Sequence, residues 1–101
     1  MSNRQDATAD LKLDARMDII AAESLLAELQ KTSPAQDTLV IDAEDVTLID
    51  TPVIQILLSA ARDQAEQGGC FTLTRPSAAV VDAMCLLGLE NSLTEWSGSN
   101  E

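Results

Sequence analysis

Leu39-Val40-Ile41 is a short, continuous apolar run that stops at an acidic residue, Asp42. Such a run is typical of a strand that is buried on both faces, as in a parallel sheet. Parallel strands need crossover connections, which are usually helices, so we expect strands and helices to alternate along the chain. A length of 101 residues suits one domain of this kind.

The segments before this run fit the same alternation. Polar and apolar residues alternate over 11–16, which predicts the first strand, and Asp18 is suited to cap the helix that follows. Pro34 is expected to end that helix. Its core face is predicted at four apolar residues: Ile19, Ala22, Leu26 and Leu29.

A second helix is predicted after Val46-Thr47-Leu48-Ile49. Thr51 is a candidate N-cap with Pro52 at the first helical position, and the helix should continue to about Gln67 before Gly68-Gly69 ends it. The expected core stripe of this helix is Ile54, Leu57, Leu58, Ala61 and Ala65. Three further apolar residues widen the stripe, either as more core or as a docking surface for a partner: Val53, Ile56 and Ala60.

The remaining segments predict a strand at Cys70 to Thr74, a capped turn at Arg75-Pro76-Ser77, and a third helix from Ala78 to Leu87 that Gly88 ends. Leu93 to Trp96 is interpreted as a final short strand or a packing arm. Residues 1–10 and 97–101 lack apolar periodicity and are expected to be flexible tails around a domain at 11–96.

The charge of the chain restricts its partners. It has 17 acidic and 6 basic side chains, a formal net charge of -11, which would repel nucleic acid and anionic membrane surfaces. The charge favours a basic protein partner, with a simple solvated acidic surface as the alternative. Cys70 and Cys85 are expected to be buried, reduced thiols, and the absence of a leader pattern or membrane span favours the cytoplasm.

Signatures of catalysis are scarce. The chain has no histidine, no glycine-rich phosphate loop and no cysteine pair at zinc spacing, so we expect neither an enzyme nor a cofactor. Asp42, Glu44, Asp45 and Asp50 have no cation nearby in sequence and are interpreted as solvated loop charges. A magnesium site among them is the weaker alternative.

The segment Val46 to Leu58 resembles a STAS domain, the fold of bacterial anti-sigma factor antagonists. In that family an apolar strand leads into an Asp-Ser-Ser-Gly-Leu type motif at a helix start, and Asp50-Thr51 is similar to its aspartate and phospho-acceptor. Residues 13–19, Leu39 to Asp42, and the stretch from Arg75 to Leu89 resemble other family segments. Pro52 and Val53 stand where the family has a second hydroxyl and a glycine.

The resemblance implies a single α/β domain with a mixed, mostly parallel sheet and helices mainly on one face. It also implies a non-catalytic signalling module that binds a kinase or anti-sigma factor and is switched by phosphorylation of Thr51. The predicted partner-binding residues are Asp18, Asp42, Asp50, Thr51, Pro52, Val53 and Ile56.

Alternatives remain for the role and for each residue. The chain could be a constitutive STAS adaptor of a chemotaxis histidine-kinase complex or of an ABC transporter. It could also be a ligand-binding or enzymatic STAS relative, since some family members bind nucleotides or light-sensing cofactors. Thr51 and Asp18 could simply be helix caps, and Asp50 a turn residue that ends a strand.

Overall fold

The computed structural model describes residues 9–32 and 38–97, which form five strands and four helices. Every strand pairing is parallel: one sheet has the order β1-β3-β5 and a second, smaller sheet pairs β2 with β4. The predicted α/β architecture is therefore confirmed, with the strands divided between two sheets. The elements in chain order are β1 (Leu11–Lys12), β2 (Arg16–Met17), α1 (Ile19–Thr32), β3 (Thr38–Asp42), β4 (Leu48–Ile49), α2 (Thr51–Glu66), β5 (Cys70–Thr74), α3 (Ala78–Leu86) and α4 (Glu90–Ser97).

The predicted first strand is divided because the chain passes from one sheet to the other between β1 and β2. The Leu13 amide donates to the carbonyl of Asp42 at 2.9 Å, which continues the pairing of β1 with β3. The carbonyl of Ala15 accepts instead from the amide of Thr47, at 2.7 Å, and thereby begins the pairing of β2 with β4. Leu13 is buried, whereas Ala15, predicted to be its neighbour on the core face, is exposed.

The helices cover mainly one face of the larger sheet. Leu39, Ile41 and Leu73 are fully buried on that face. Val40 alternates with them in β3 and is only half-buried. The prediction that this strand is buried on both faces is therefore wrong at Val40, whose side chain keeps part of its surface accessible, although Asp42 on the same face is buried.

Helix α1 begins as predicted but turns a different face inward. Its N-cap is Asp18, and its buried residues are Ala22, Leu25 and Leu29. Ile19 and Leu26, both predicted for the core, are exposed. Helical side chains point toward the N-terminus, so Ile19 extends past the end of the core, and Leu26 lies about 100° around the helix from Leu25. The predicted stop at Pro34 lies outside the described residues.

Helix α2 begins one residue earlier than predicted. Asp50 is the N-cap, Thr51 is the first helical residue, and Pro52 follows it. Gln67 is the C-cap, and Gly68 has the left-handed φ of +84° that favours glycine. The buried residues are Val53, Ile54, Leu57 and Gln64, whereas the predicted core residues Leu58 and Ala61 are half-buried and Ala65 is exposed.

Gln64 is a polar core residue with a structural task. Its side-chain Nε2 donates to the carbonyl of Cys70 at 3.2 Å, and its backbone carbonyl accepts from the Gly69 amide at 2.8 Å. These two bonds hold the end of α2 against the start of β5. Apolar periodicity could not find this residue, because glutamine does not belong to an apolar stripe.

The last third of the chain agrees with the prediction up to Gly88. The Ser77 hydroxyl accepts from the Val80 amide and caps α3. Leu93 to Trp96, predicted as a strand or packing arm, belongs to α4, and Trp96 packs edge-on against Phe71 with ring centroids 5.0 Å apart. Cys70 and Cys85 are unpaired as expected but exposed, so the prediction that they are buried is wrong.

The tail predicted over residues 1–10 includes Asp10, which is hydrogen-bonded to β3. The Asp10 amide donates to the carbonyl of Val40, and the Val40 amide donates to the Asp10 carboxylate, both at 2.8 Å. Asp10 is therefore attached to β3, directly before β1 begins. The tails predicted at residues 1–8 and 98–101 lie outside the described residues, and Ser97 is the last residue of α4.

Because α2 is buried against the sheet, two leucine-to-alanine substitutions should differ greatly in their effect on the free energy of unfolding. Leu57→Ala should lower the free energy of unfolding by about 2–5 kcal/mol, because Leu57 is fully buried and its removal leaves a cavity. Leu86→Ala should change it by less than about 0.5 kcal/mol, because Leu86 is 87% exposed. Urea denaturation measures both, and equal losses would contradict this account of the core.

Candidate functional site

The parallel pairing of β2 with β4 places two helix starts side by side. Met17 pairs with Ile49, and the amide of Asp50 continues the ladder by donating to the Met17 carbonyl at 2.9 Å. Asp18 follows β2 and Asp50 follows β4, so the two aspartates leave the same edge of the small sheet as neighbours. The register therefore brings Asp18 close to the start of α2.

Asp18 is engaged in holding its own helix. One carboxylate oxygen accepts from the amides of Ile20 and Ala21, each at 3.1 Å, and the other accepts from the Arg16 guanidinium at 3.0 Å. The Ala21 amide and the Arg16 side chain hold the pKa of Asp18 below its ordinary value. Asp18 is thus a capping residue, with about a quarter of its side chain, 26%, still accessible.

Asp50 is hydrogen-bonded to the rest of the fold only through its backbone. Its carbonyl accepts from the amides of Val53 and Ile54, at 3.0 and 3.4 Å, which closes the first turn of α2. Its carboxylate makes no capping hydrogen bond. A negative charge therefore stands at the start of α2 next to Thr51 and Pro52, both of which are exposed.

The start of α1, which the β2–β4 register places next to the start of α2, carries two large exposed apolar side chains. Ile19 is 62% exposed and Ile20 is 74% exposed. We call the five residues Ile19, Ile20, Asp50, Thr51 and Pro52 the helix-start surface. Two consecutive isoleucines directly after an N-cap are a signal that sequence reasoning missed, because the prediction assigned Ile19 to the core stripe of α1 and did not consider Ile20.

Three predicted partner-binding residues lie elsewhere. Val53 lies on the inward face of α2 and is fully buried in the core. Its side chain is therefore not available to a partner. Asp42 is buried at the end of β3. Ile56 is half-buried and lines an open groove between α1 and α2, with a volume of about 270 Å³.

Asp42 belongs to a group of charged side chains at the ends of β1, β3 and β5, which corrects its interpretation as a solvated loop charge. Its carboxylate accepts from Arg75 at 2.5 Å and from the Glu44 amide at 2.8 Å. Arg75 also pairs with Glu44 at 3.3 Å, and Lys12 pairs with Asp45 at 3.4 Å. The sequence separation of 33 residues between Asp42 and Arg75 hid this pairing from sequence reasoning.

Burial and pairing have opposing effects on the pKa of the Asp42 carboxyl group. Burial raises its pKa, but the Glu44 amide and the Arg75 guanidinium lower it by more, so the pKa lies below its ordinary value. Arg75 reaches this position from a left-handed backbone conformation with φ of 51°, which is unfavourable for a residue other than glycine. The ion pair therefore helps to fix a strained turn before α3.

A comparison with protein families identifies the family of this fold and its helix-start surface. A family model described as "Mlab, STAS domain" matches residues 1–95. The chain belongs to the STAS domain family. STAS domains mediate interactions between proteins in regulation, and the exposed helix-start surface suits such a role. Comparisons with curated proteins and with solved structures gave no significant match.

The described part of the STAS domain has neither a metal-binding cluster nor a helix that could span a membrane. Within residues 9–32 and 38–97, no cluster of three cysteine, aspartate or glutamate side chains is arranged to hold a metal ion. In the same part of the chain, none of the helices combines the length and apolarity that a bilayer crossing requires.

The two aspartates at the helix starts should respond differently to truncation. Asp18→Ala should lower the thermal unfolding midpoint, because two amides lose their capping acceptor, whereas Asp50→Ala should lower it much less. Differential scanning calorimetry of the two variants makes the comparison. A larger loss for Asp50→Ala would contradict the assignment of the caps.

Replacement of Asp42 should make stability less sensitive to acid. At pH 7, Asp42→Asn should cost about 1–3 kcal/mol, and the partial exposure of Arg75 favours the lower end. The folded pKa of Asp42 is depressed, so its contribution is present above the unfolded value of about 3.9 and is lost as pH falls through the folded pKa. Urea denaturation between pH 7 and 3 should therefore show a shrinking difference from wild type. Glu44→Gln, at a half-exposed site, is the control and should cost less.

Proposed function

We propose that this protein is a non-catalytic regulatory module, similar to an anti-sigma factor antagonist, that binds a partner protein through its helix-start surface. A partner kinase phosphorylates Thr51, and the modification releases the bound protein. The role requires no chemistry by this chain. We place it in the cytoplasm, where the exposed thiols of Cys70 and Cys85 stay reduced.

The proposal rests mainly on the exposure of Thr51 and on the residues around it. Its side chain is exposed in the first turn of α2, next to Asp50, whose carboxylate makes no capping bond. The β2–β4 register makes the start of α1 the neighbour of this turn, and Ile19 and Ile20 are exposed there. Apolar side chains can supply affinity for a partner, and a charge that changes among them can remove it. Membership of the STAS family supports an interaction role for such a surface.

A phosphate on Thr51 would act mainly on the partner. Pro52 has no amide hydrogen, and the amides of Val53 and Ile54 are already bonded to the carbonyl of Asp50. Few donors of the first turn are thus free to receive phosphate oxygens, although the helix dipole tolerates the negative charge. The added charge of about -1.5 to -2 would stand beside Asp50 and repel an acidic or closely packed partner surface.

A constitutive adaptor is the second candidate, as a STAS subunit of a chemotaxis histidine-kinase complex or of an ABC transporter. Pro52 fixes the backbone directly after Thr51, and fully buried Val53 anchors the next residue. The first turn of α2 after Thr51 is therefore rigid. This rigidity suits permanent docking as well as it suits a switch.

Charge mimicry at Thr51 separates the two candidates. Purified wild type, Thr51→Ala and Thr51→Glu are titrated calorimetrically into candidate partners encoded beside the gene of this chain. For a switch, Thr51→Glu should bind at least about tenfold more weakly, which is about 1.4 kcal/mol, while Thr51→Ala should bind nearly as wild type. Equal binding by all three would favour the adaptor.

Two controls complete the test. Thr94→Glu adds the same charge at an exposed position of α4 and should leave binding unchanged. Incubation with a serine/threonine kinase from the same gene neighbourhood, followed by mass spectrometry, should add one phosphoryl group at Thr51. Failure of every such kinase to modify Thr51 would count against the switch.

A further inference from the structure

The groove between α1 and α2 has an apolar interior that the domain leaves open. Its walls include Leu26 and Leu29 from α1 and Ile56 and Ala60 from α2, and its volume is about 270 Å³. Leu26 is 45% exposed on this wall. The groove also continues the helix-start surface, because Ile56 lies four residues, or about one helical turn, beyond Pro52.

One end of the groove carries an unbalanced negative charge. Asp63 lines it, is exposed, and makes no ion pair among the described residues. Its neighbour Arg62 faces a different groove, between α2, β5 and α4, and contributes nothing to this lining. No lysine or arginine belongs to the described lining of the α1–α2 groove.

Charge selects among possible occupants of the groove. A second copy of this chain carries a net charge of -11, so self-association must overcome repulsion. Residues 1–8 contain only Met1 as a large apolar side chain and have one arginine balanced by one aspartate. A groove of this size lies just below the roughly 300–1,000 Å³ of small-molecule sites. A basic, apolar protein segment meets both requirements of the groove.

We propose that the α1–α2 groove binds a short amphipathic helix of a partner protein, which inserts an aliphatic side chain between Leu26 and Ile56 and pairs a lysine or arginine with Asp63. The proposal deepens the proposed function, since the helix would belong to the protein held at the helix-start surface. Ile56 and Asp63 are seven residues apart, so about 10.5 Å of helix separates the apolar and the charged contact. The partner helix should therefore place its aliphatic anchor and its basic residue about two turns apart.

A model peptide tests this chemistry without knowledge of the partner. A synthetic 14-residue amphipathic helix of leucine and lysine is titrated into the ¹⁵N-labelled full chain, with its leucine and glutamate counterpart as the comparison. The lysine peptide should shift the amide resonances of Leu26, Ile56, Ala60 and Asp63, and the glutamate peptide should bind at least tenfold more weakly. Strongest shifts at exposed Leu86 and Leu87, or equal binding of both peptides, would overturn the proposal.

Two matched charge reversals separate pairing in the groove from general attraction. Asp63→Lys should weaken binding of the lysine peptide about tenfold. Asp82→Lys makes the same change at an exposed position of α3 and should weaken it less than twofold. Circular dichroism establishes that both variants are folded. Equal weakening by the two would show that only the net charge matters and would overturn the proposal.

The test also distinguishes this proposal from the one on which it rests. Thr51→Glu should leave binding of the lysine peptide within twofold, because the peptide occupies the groove alone. Loss of the groove result with intact Thr51 effects on candidate partners would refute the groove and spare the switch. An intact groove result with no Thr51 effect would do the reverse.

Discussion

The pairing of β2 with β4 is the interaction on which the functional surface depends. The ladder is only two residues long, yet the bonds from Thr47, Leu48 and Asp50 to the Ala15 and Met17 carbonyls lock the register. The Thr47 hydroxyl adds a further bond to the Ala15 carbonyl at 3.0 Å. Without this register, the starts of α1 and α2 would have no fixed relation, and the apolar and acidic residues of the helix-start surface would not form one patch.

Three aspartates that look alike in the sequence have different physical tasks. Asp18 caps α1 and pairs with Arg16, Asp42 is buried against Arg75, and the Asp50 carboxylate is left uncommitted. Burial and hydrogen-bond partners, rather than residue type, make this distinction. A recognition role is most compatible with the carboxylate that the fold does not consume, since binding at Asp42 would first have to break a buried ion pair.

The sequence predicted the main elements up to α3 in the right order, although it missed β4, merged β1 with β2 and interpreted part of α4 as a strand or packing arm. It predicted the orientation of side chains less well. Caps and stops at Asp18, Ser77 and Gly68 were found, because each has local chemistry that acts within a few residues. The start of α2 was displaced by one residue, because Asp50 and Thr51 both suit an N-cap and proline occurs in the first turn after either. Local pattern alone could not choose between them.

Long-range packing accounts for the other differences. In α1, Leu25 and Leu26 fit a helical stripe equally well, and the position of α2 decides that Leu25 is buried while Leu26 lines the groove. The spacing of Leu93 and Trp96 is too short to distinguish a helical turn from a strand. The Asp42–Arg75 pair depends on β3 and β5 being neighbours, which no local signal contains.

The contact between Phe71 and Trp96 gives the molecule an internal optical reporter. These are the two aromatic residues of the chain, and Trp96 is 5% exposed where α4 packs on β5. Tryptophan emission should therefore follow the detachment of the last helix. Neither ring belongs to the helix-start surface or to the α1–α2 groove. Binding of a partner at those two regions should therefore leave the tryptophan emission almost constant. A change in emission would then report fraying of α4 separately from partner binding.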